Sequence, residues 1–99
     1  MKESLFSKRL KQLSITSLKI IIRGTGLKPK YELILWKFYI ENKSYVEISD
    51  ELGIEISTVG KVLWKAKKEL QRIIESEKEL IPEPVKSYID LLLAEKEIG

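Results

Sequence analysis

The side chains best suited to chemistry lie in one lysine-rich segment past the middle of the chain. At about 100° per residue on a helix, Ser57, Lys61 and Lys68 fall opposite the apolar residue Val59, with Lys65 beside them. Lysine ammonium groups donate hydrogen bonds to phosphate and other anions, and a serine hydroxyl adds a neutral donor. We therefore expect this face to bind an anion rather than to catalyse a reaction.

The composition argues against catalysis. The chain has 99 residues and contains neither cysteine nor histidine. Disulfides and thiolate metal sites are excluded, and so are the commonest general base and the commonest metal ligand. The carboxylates of Glu47, Asp50 and Glu51 share one helix, where capping and solvation account for them. We expect one small domain that is not an enzyme and has no cofactor or metal.

A helix-turn-helix is predicted over residues 44–74. Ser44 and Glu47 have the S-x-x-E spacing of a capping box, which indicates the start of the first helix. Gly53 follows Leu52, where helices commonly end in a left-handed residue. The second helix is predicted by apolar residues at helical spacing. These are Val59, Val62, Leu63, Ala66, Leu70 and Ile73.

This pattern closely resembles the C-terminal DNA-binding region of bacterial sigma factors, region 4, and is similar to the related helix-turn-helix of response-regulator output domains. The resemblance covers about residues 29–74. The positions that carry it are Glu47, Ile48, Leu52, Gly53, Ile54, Thr58, Val59, Leu63, Ala66 and Leu70. The resemblance implies an all-α fold and DNA binding. An ordinary helical hairpin is the alternative.

Two positions depart from the family pattern. Ser49 stands where alanine is usual, which is a mild change. Glu55 stands where a serine normally caps the recognition helix. We therefore expect that helix to begin later, with Ser57 as its cap, and to occupy about residues 57–72.

The recognition helix of such a motif lies in the major groove of double-stranded DNA, and the residues near its N-terminus reach base edges. Ser57, Thr58, Gly60 and Lys61 are expected at bases or nearby phosphates, and Lys65 and Lys68 at the backbone. Lys43, Ser44 and Tyr45 are expected to contact phosphate at the start of the first helix. Gly60 is either tolerated by accident or permits close approach to DNA.

Charge is distributed unevenly along the chain. Residues 1–43 carry ten Lys/Arg and three acidic residues, a net +7, whereas residues 75–99 carry a net −4. A basic front with an acidic tail is typical of proteins that bind a polyanion. A solvated lysine-rich surface is the alternative, and charge alone does not decide between them.

Amphipathic helices are predicted on both sides of the motif. Residues 1–12 and 15–23 are predicted to be helical, the second despite its β-branched residues, because no partner strand exists. After a hinge at 24–26, residues 30–41 form an apolar central helix whose aromatic residues we assign to the core. The recognition helix is expected to run toward residue 79 and to end before Pro82.

The last helix, predicted for residues 85–97, has an apolar side that needs cover. It consists of Val85, Tyr88, Ile89, Leu92 and Leu93. This helix either folds back on its own core or pairs with a second copy, and we favour a homodimer because two half-sites raise affinity. The expected division is a helical domain at 1–81 and an oligomerisation arm at 82–99.

Trp64 points away from the buried stripe of the recognition helix. A large indole rarely stands bare on a surface helix. We expect it to pack beneath the N-terminal helix around Leu5 and Phe6, with contact to a partner as the second choice and contact to DNA as the last.

The resulting hypothesis is a small, free-standing, phage-type transcription regulator in the cytoplasm that binds double-stranded DNA sequence-specifically. The chain is too short for the polymerase-binding and promoter-melting regions of a complete sigma factor, and it has no apolar run long enough for a membrane span. One alternative is the DNA-recognising small subunit of a phage DNA-packaging (terminase) complex. Another is a protein-binding adaptor of RNA polymerase without DNA affinity.

Overall fold

The protein folds into six helices in a computed structural model that describes residues 5–76 and 81–94. Every regular element in these ranges is helical, so the all-α prediction is confirmed. The predictions for residues 1–4, 77–80 and 95–99 lie outside the described residues. The helices are α1 Leu5–Gln12, α2 Ile15–Gly24, α3 Pro29–Leu35, α4 Tyr45–Leu52, α5 Ile56–Ser76 and α6 Val85–Ala94.

The β-branched segment forms α2, as predicted. Ser14 caps it, because the Ser14 hydroxyl oxygen accepts a hydrogen bond from the Ser17 amide at 3.1 Å. Leu18, Ile21 and Ile22 lie on one face and are buried in the core. Burial of this face outweighs the modest strand preference of its isoleucines.

The central helix begins as predicted with Pro29 in its first turn, but it changes geometry halfway. Residues Trp36–Ile40 form a π-helical segment, in which the Glu41 amide donates to the Trp36 carbonyl at 3.0 Å. Asn42 then ends the helix in the left-handed region at φ 56°. The wider turn leaves the aromatic residues of this segment half-buried at the edge of the core.

The core is built around α3 and its π-helical continuation, which together contact α2, α4 and α5. The predicted role of this central helix is therefore confirmed. Its last α-helical turn places Ile34 and Leu35 inside, although Leu33 is exposed. The largest fully buried side chains are Leu10, Ile21, Ile22, Ile34, Leu35, Ile48, Val59, Leu63, Leu70, Ile74, Ile89 and Leu92.

The C-terminal helix folds back on its own chain. α6 packs against α2 and buries Val85, Ile89 and Leu92. The approach is close at Gly24, where an added methyl group would collide with Val85 Cγ2. Three residues of the apolar side that we assigned to pairing, Val85, Ile89 and Leu92, are thus covered within one chain. Folding back removes these three side chains from water. The homodimer stays a prediction.

Among residues 5–76 and 81–94, no helix combines the length and the apolar character that a membrane span requires.

Candidate nucleic-acid interface

The start of α4 is held by the predicted capping box. The Ser44 hydroxyl oxygen accepts from the Glu47 amide at 3.1 Å, and the Glu47 carboxylate accepts from the Ser44 amide at 2.8 Å. Both groups are satisfied reciprocally, which fixes the first turn and its residue Tyr45. The Ser44 amide is therefore occupied by Glu47 and is not free to donate to a phosphate.

The turn between α4 and α5 is shaped by Gly53 and by an unforeseen contact of Ser49. Gly53 is left-handed at φ 68°, as predicted, and its amide donates to the Ser49 carbonyl at 2.9 Å. The Ser49 hydroxyl donates to the Ile54 carbonyl at 2.5 Å. The serine that departs from the family pattern thus closes the turn. Its signal was available in the sequence, because a hydroxyl near a helix end reaches nearby backbone groups.

The recognition helix begins earlier than predicted. Both Thr58 and Val59 donate their amides to the Glu55 carbonyl at 3.0 Å, so Glu55 is the residue before the first turn. The assignment of Ser57 as the cap is wrong. Ser57 instead lies exposed within the first turn. The helix runs from Ile56 to Ser76, so it contains the expected recognition segment at about 57–72 and continues toward residue 79 as predicted.

The two faces of α5 separate as the sequence pattern indicated. The buried side consists of Val59, Leu63, Ala66, Leu70, Ile73 and Ile74. On the other side, Lys61, Lys65 and Lys68 are exposed, whereas Thr58 and Gly60 are half-buried at the flanks. The Cβ position of Gly60 lies 3.5 Å from the Tyr45 ring, so Tyr45 of α4 fills the space beside this glycine.

The three outward lysines of α5, Lys61, Lys65 and Lys68, are called the recognition lysines below. Within the described residues none of them forms an ion pair with a carboxylate. Lys68 places its ammonium 5.4 Å from the centre of the Trp64 ring, which is cation–π distance. Their positive charges are thus not neutralised by the protein along this face.

Lys43 has a different environment. Its ammonium pairs with Glu51, which also accepts a hydrogen bond from Lys37 at 2.6 Å. Glu41 lies 3.9 Å from both ammonium groups. We call these four residues the ion-pair cluster. It ties α4 to the preceding helix, and a phosphate would compete with Glu51 for the ammonium group of Lys43.

Titration of the cluster reflects this pairing. The hydrogen bonds from Lys37 and Lys43 hold the pKa of Glu51 below its ordinary value, and the hydrogen bond to Glu51 raises the pKa of Lys43. Both groups are therefore held in their charged forms across neutral pH.

Trp64 does not pack beneath the N-terminal helix. Its side chain is 57% exposed, and Leu5, its expected neighbour, is 61% exposed. That expectation is wrong because α1 turns Phe6 and Leu10 into the core, while Trp64 lies on the outward side of α5. Trp64 therefore belongs to the same surface as the recognition lysines.

In the part of the chain that the structure describes, this surface offers ammonium groups that can bind anions and exposed aromatic rings, but no metal-binding cluster. Among the described residues, no group of three or more Asp and Glu side chains is placed to hold a metal ion. A cationic helix face with an aromatic flank can bind a polyanion through ammonium donors and can cover apolar surface beside it.

Comparison with known proteins identifies the segment that carries this interface. Residues 25–70 match the family model of sigma-70, region 4. No curated protein and no solved structure gave a match. The matched segment contains α3, α4 and the front two-thirds of α5, including all three recognition lysines. Residues 25–70 are therefore similar to sigma-70, region 4, and they contain the helix-turn-helix formed by α4 and α5.

Proposed function

We propose that this protein binds double-stranded DNA sequence-specifically through α5 and acts as a small transcription regulator of the region 4 type. The observation that carries the proposal is the row of recognition lysines, exposed along α5 and not paired with carboxylates. A row of exposed, unpaired lysines creates a positive potential that attracts a polyanion and displaces its counterions on binding. Duplex DNA is the polyanion that the family match supports.

The spacing of the face supports a division of roles along the helix. At about 1.5 Å per residue, Lys61 lies about 6 Å beyond Ser57 and Lys68 about 16 Å beyond it. Because residues near the N-terminus of a recognition helix reach base edges, Ser57 and Lys61 are the candidates for base contact, and Lys68 lies farther from the bases. Lys61 accordingly reads a base edge, most favourably the O6 and N7 of guanine. Lys65 and Lys68 bind phosphate.

Ser44, Tyr45 and Lys43 would meet the DNA backbone at the start of α4. Ser44 retains its hydroxyl proton as a donor although its oxygen and amide are used in the capping box. Tyr45 is exposed, and its ring lies against the face of α5 at Gly60. Lys43 contributes less than the recognition lysines, because each phosphate contact costs its bond to Glu51.

The test is a titration of specific and random duplexes over a salt series, after a preferred site has been selected from random DNA. Lys61→Ala should weaken binding to the preferred site by roughly 1–3 kcal/mol and to random DNA by less. Lys68→Ala should weaken binding to both duplexes alike and lower the salt slope by about one unit. The proposal is wrong if no preferred site emerges or if both variants bind DNA as the wild type does.

A protein-binding adaptor remains the second candidate, because a specific observation favours it. Four of the seven large apolar side chains that are exposed among the described residues lie on α4 and α5. They are Tyr45, Val46, Ile56 and Trp64. Absence of DNA affinity at low salt, together with binding to RNA polymerase, would favour this candidate. A packaging subunit would instead assemble into ring-sized oligomers, which a mass measurement by light scattering would detect.

A further inference from the structure

Trp64 is the largest exposed apolar side chain on the recognition helix, and its setting differs from that of Trp36. Trp36 is half-buried, and the Arg23 guanidinium stacks 4.0 Å from its ring centre. Trp64 is 57% exposed, and its ring contacts the ammonium group of Lys68, which lies one helical turn further along α5. Water thus covers most of an indole that sits on the face proposed for DNA.

Trp64 is part of a continuous apolar strip. Ile56, Gly60 and Trp64 are spaced four apart and therefore follow one line along α5. Tyr45 lies against this line at Gly60. The strip, defined as Tyr45, Ile56, Gly60 and Trp64, runs beside the recognition lysines from the first turn of α5 to its third.

The charge around the strip favours nucleic acid as its occupant. Lys61 and Lys68 border Trp64 on the outward side, and within the described residues neither is neutralised by a carboxylate. A ring bordered by cations fits a surface that combines apolar and anionic groups. The wall of the major groove has this composition, because thymine methyl groups lie directly beside the phosphate backbone.

The position of Trp64 along the helix matches that wall. It lies about 10.5 Å beyond Ser57 along the helix axis, between the N-terminal residues proposed to contact bases and Lys68, which is proposed to bind phosphate. We propose that Trp64 contacts the C5-methyl group of a thymine at the edge of the site and is a specificity-determining residue. The adjacent Lys68 ammonium then binds the flanking phosphate. This inference rests on the proposed function.

The experiment removes the methyl group from the DNA and the indole from the protein. In the selected site each thymine is replaced in turn by uracil, which lacks the methyl group but keeps the base-pairing edge. The affinity of the wild type should fall about fourfold when the uracil replaces one particular thymine near the edge of the site. This is the effect expected from losing one buried methyl group. Trp64→Ala should bind the selected duplex and its uracil form equally. Relative to the wild type, this variant should lose less affinity for random DNA than for the selected site.

Leu33→Ala is the matched control, because Leu33 is also an exposed apolar residue but lies on α3. It should retain the uracil effect in full. Trp64→Ala should melt at the wild-type temperature, since its indole is largely exposed. If that variant unfolds, Trp64→Gln and the emission of Trp64 in a Trp36→Phe background replace it. The emission should shift to shorter wavelength with the selected duplex and not with its uracil form.

The outcomes separate this inference from the proposed function. If Lys61→Ala weakens binding while no uracil substitution distinguishes the wild type from Trp64→Ala, the protein reads DNA without Trp64 and the inference is overturned. A selected site without thymine near either edge has the same consequence. If neither Lys61→Ala nor Trp64→Ala changes binding, the proposed function fails and the inference fails with it.

Discussion

The recognition lysines and the lysines of the ion-pair cluster are the same residue type on neighbouring elements, yet the fold gives them opposite roles. Lys37 and Lys43 share Glu51, which joins α4 to the helix before it. Lys61, Lys65 and Lys68 face outward on α5 without a carboxylate partner among the described residues. The candidate interface therefore differs from the rest of the fold in having lysines that are not paired with carboxylates, and not in having more lysines.

The largest effect should come from removing the recognition lysines together. Lys61→Ala, Lys65→Ala and Lys68→Ala in one chain should lower DNA affinity by about two orders of magnitude at 0.1 M salt and reduce the salt slope by nearly two units, one for each lysine at phosphate. Fluorescence anisotropy with a labelled duplex measures both quantities. The control is Lys43→Gln with Glu51→Gln, which keeps the net charge and should change affinity less than about threefold. An equal loss in the control would abolish the distinction between the two groups of lysines.

A second change tests whether the scaffold can be weakened without touching the interface. Gly24→Ala should destabilise the protein by about 1–3 kcal/mol, because its methyl group collides with the buried Val85. Adding Val85→Ala should restore part of the loss, since the smaller side chain leaves room. Thermal melts measure stability, and DNA affinity measured well below the melting temperature should remain at the wild-type value. A parallel fall in affinity would show that α2 and α6 take part in binding.

Gly60→Ala should have a smaller and opposite effect. The added methyl group would lie 3.5 Å from the Tyr45 ring, which is ordinary contact, and alanine favours the helix by up to about 1 kcal/mol over glycine. We expect a higher melting temperature and unchanged DNA affinity, because Tyr45 and not DNA occupies that space. Lost affinity in a stabilised variant would mean that the glycine admits DNA and that the recognition lysines approach it more closely than we infer.

The smallest effect should come from Glu51→Gln, and it should depend on pH. Because the folded-state pKa of Glu51 is lowered, its ion pairs stabilise the protein above the ordinary carboxyl pKa, and this contribution is lost as the pH falls through the folded-state value. The wild type should therefore melt slightly higher than the variant at pH 7, and the difference should vanish in acid. A difference that persists at pH 2 would assign the effect to packing rather than to charge.

Local features of the motif could be predicted from the sequence, whereas features that depend on distant partners could not. The capping box of Ser44 and Glu47 and the left-handed Gly53 depend on neighbours within a few residues, so their spacing is enough. The buried stripe of α5 follows from helical periodicity. The pairing of Lys43 with Glu51 requires the turn of α4 to bring two residues together, and no pattern in the sequence distinguishes Lys43 from Lys61.

The incorrect or missed features, such as the start of α5 and the π-helical segment, also depend on contacts that the sequence pattern does not show. α5 begins at Ile56 because the Glu55 carbonyl accepts the first helical hydrogen bonds, although glutamate is an uncommon cap. The π-helical segment Trp36–Ile40 inserts an extra residue into a turn, which apolar content alone does not reveal. Proteins prefer to cover large apolar side chains, but the sequence pattern does not reveal what covers Trp64 or α6. In α6 folding back satisfies that preference, and at Trp64 we assign the cover to DNA.

The most direct test maps the contact surface itself. Amide chemical shifts of the ¹⁵N-labelled protein, followed during titration with the selected duplex, report every backbone position at once. The account predicts the largest changes at Ser57, Lys61 and Trp64 on α5 and at Tyr45 on α4, with the amides of α6 unchanged. Changes concentrated on α2 and α6, with α5 unaffected, would contradict it and show that the recognition lysines face another partner.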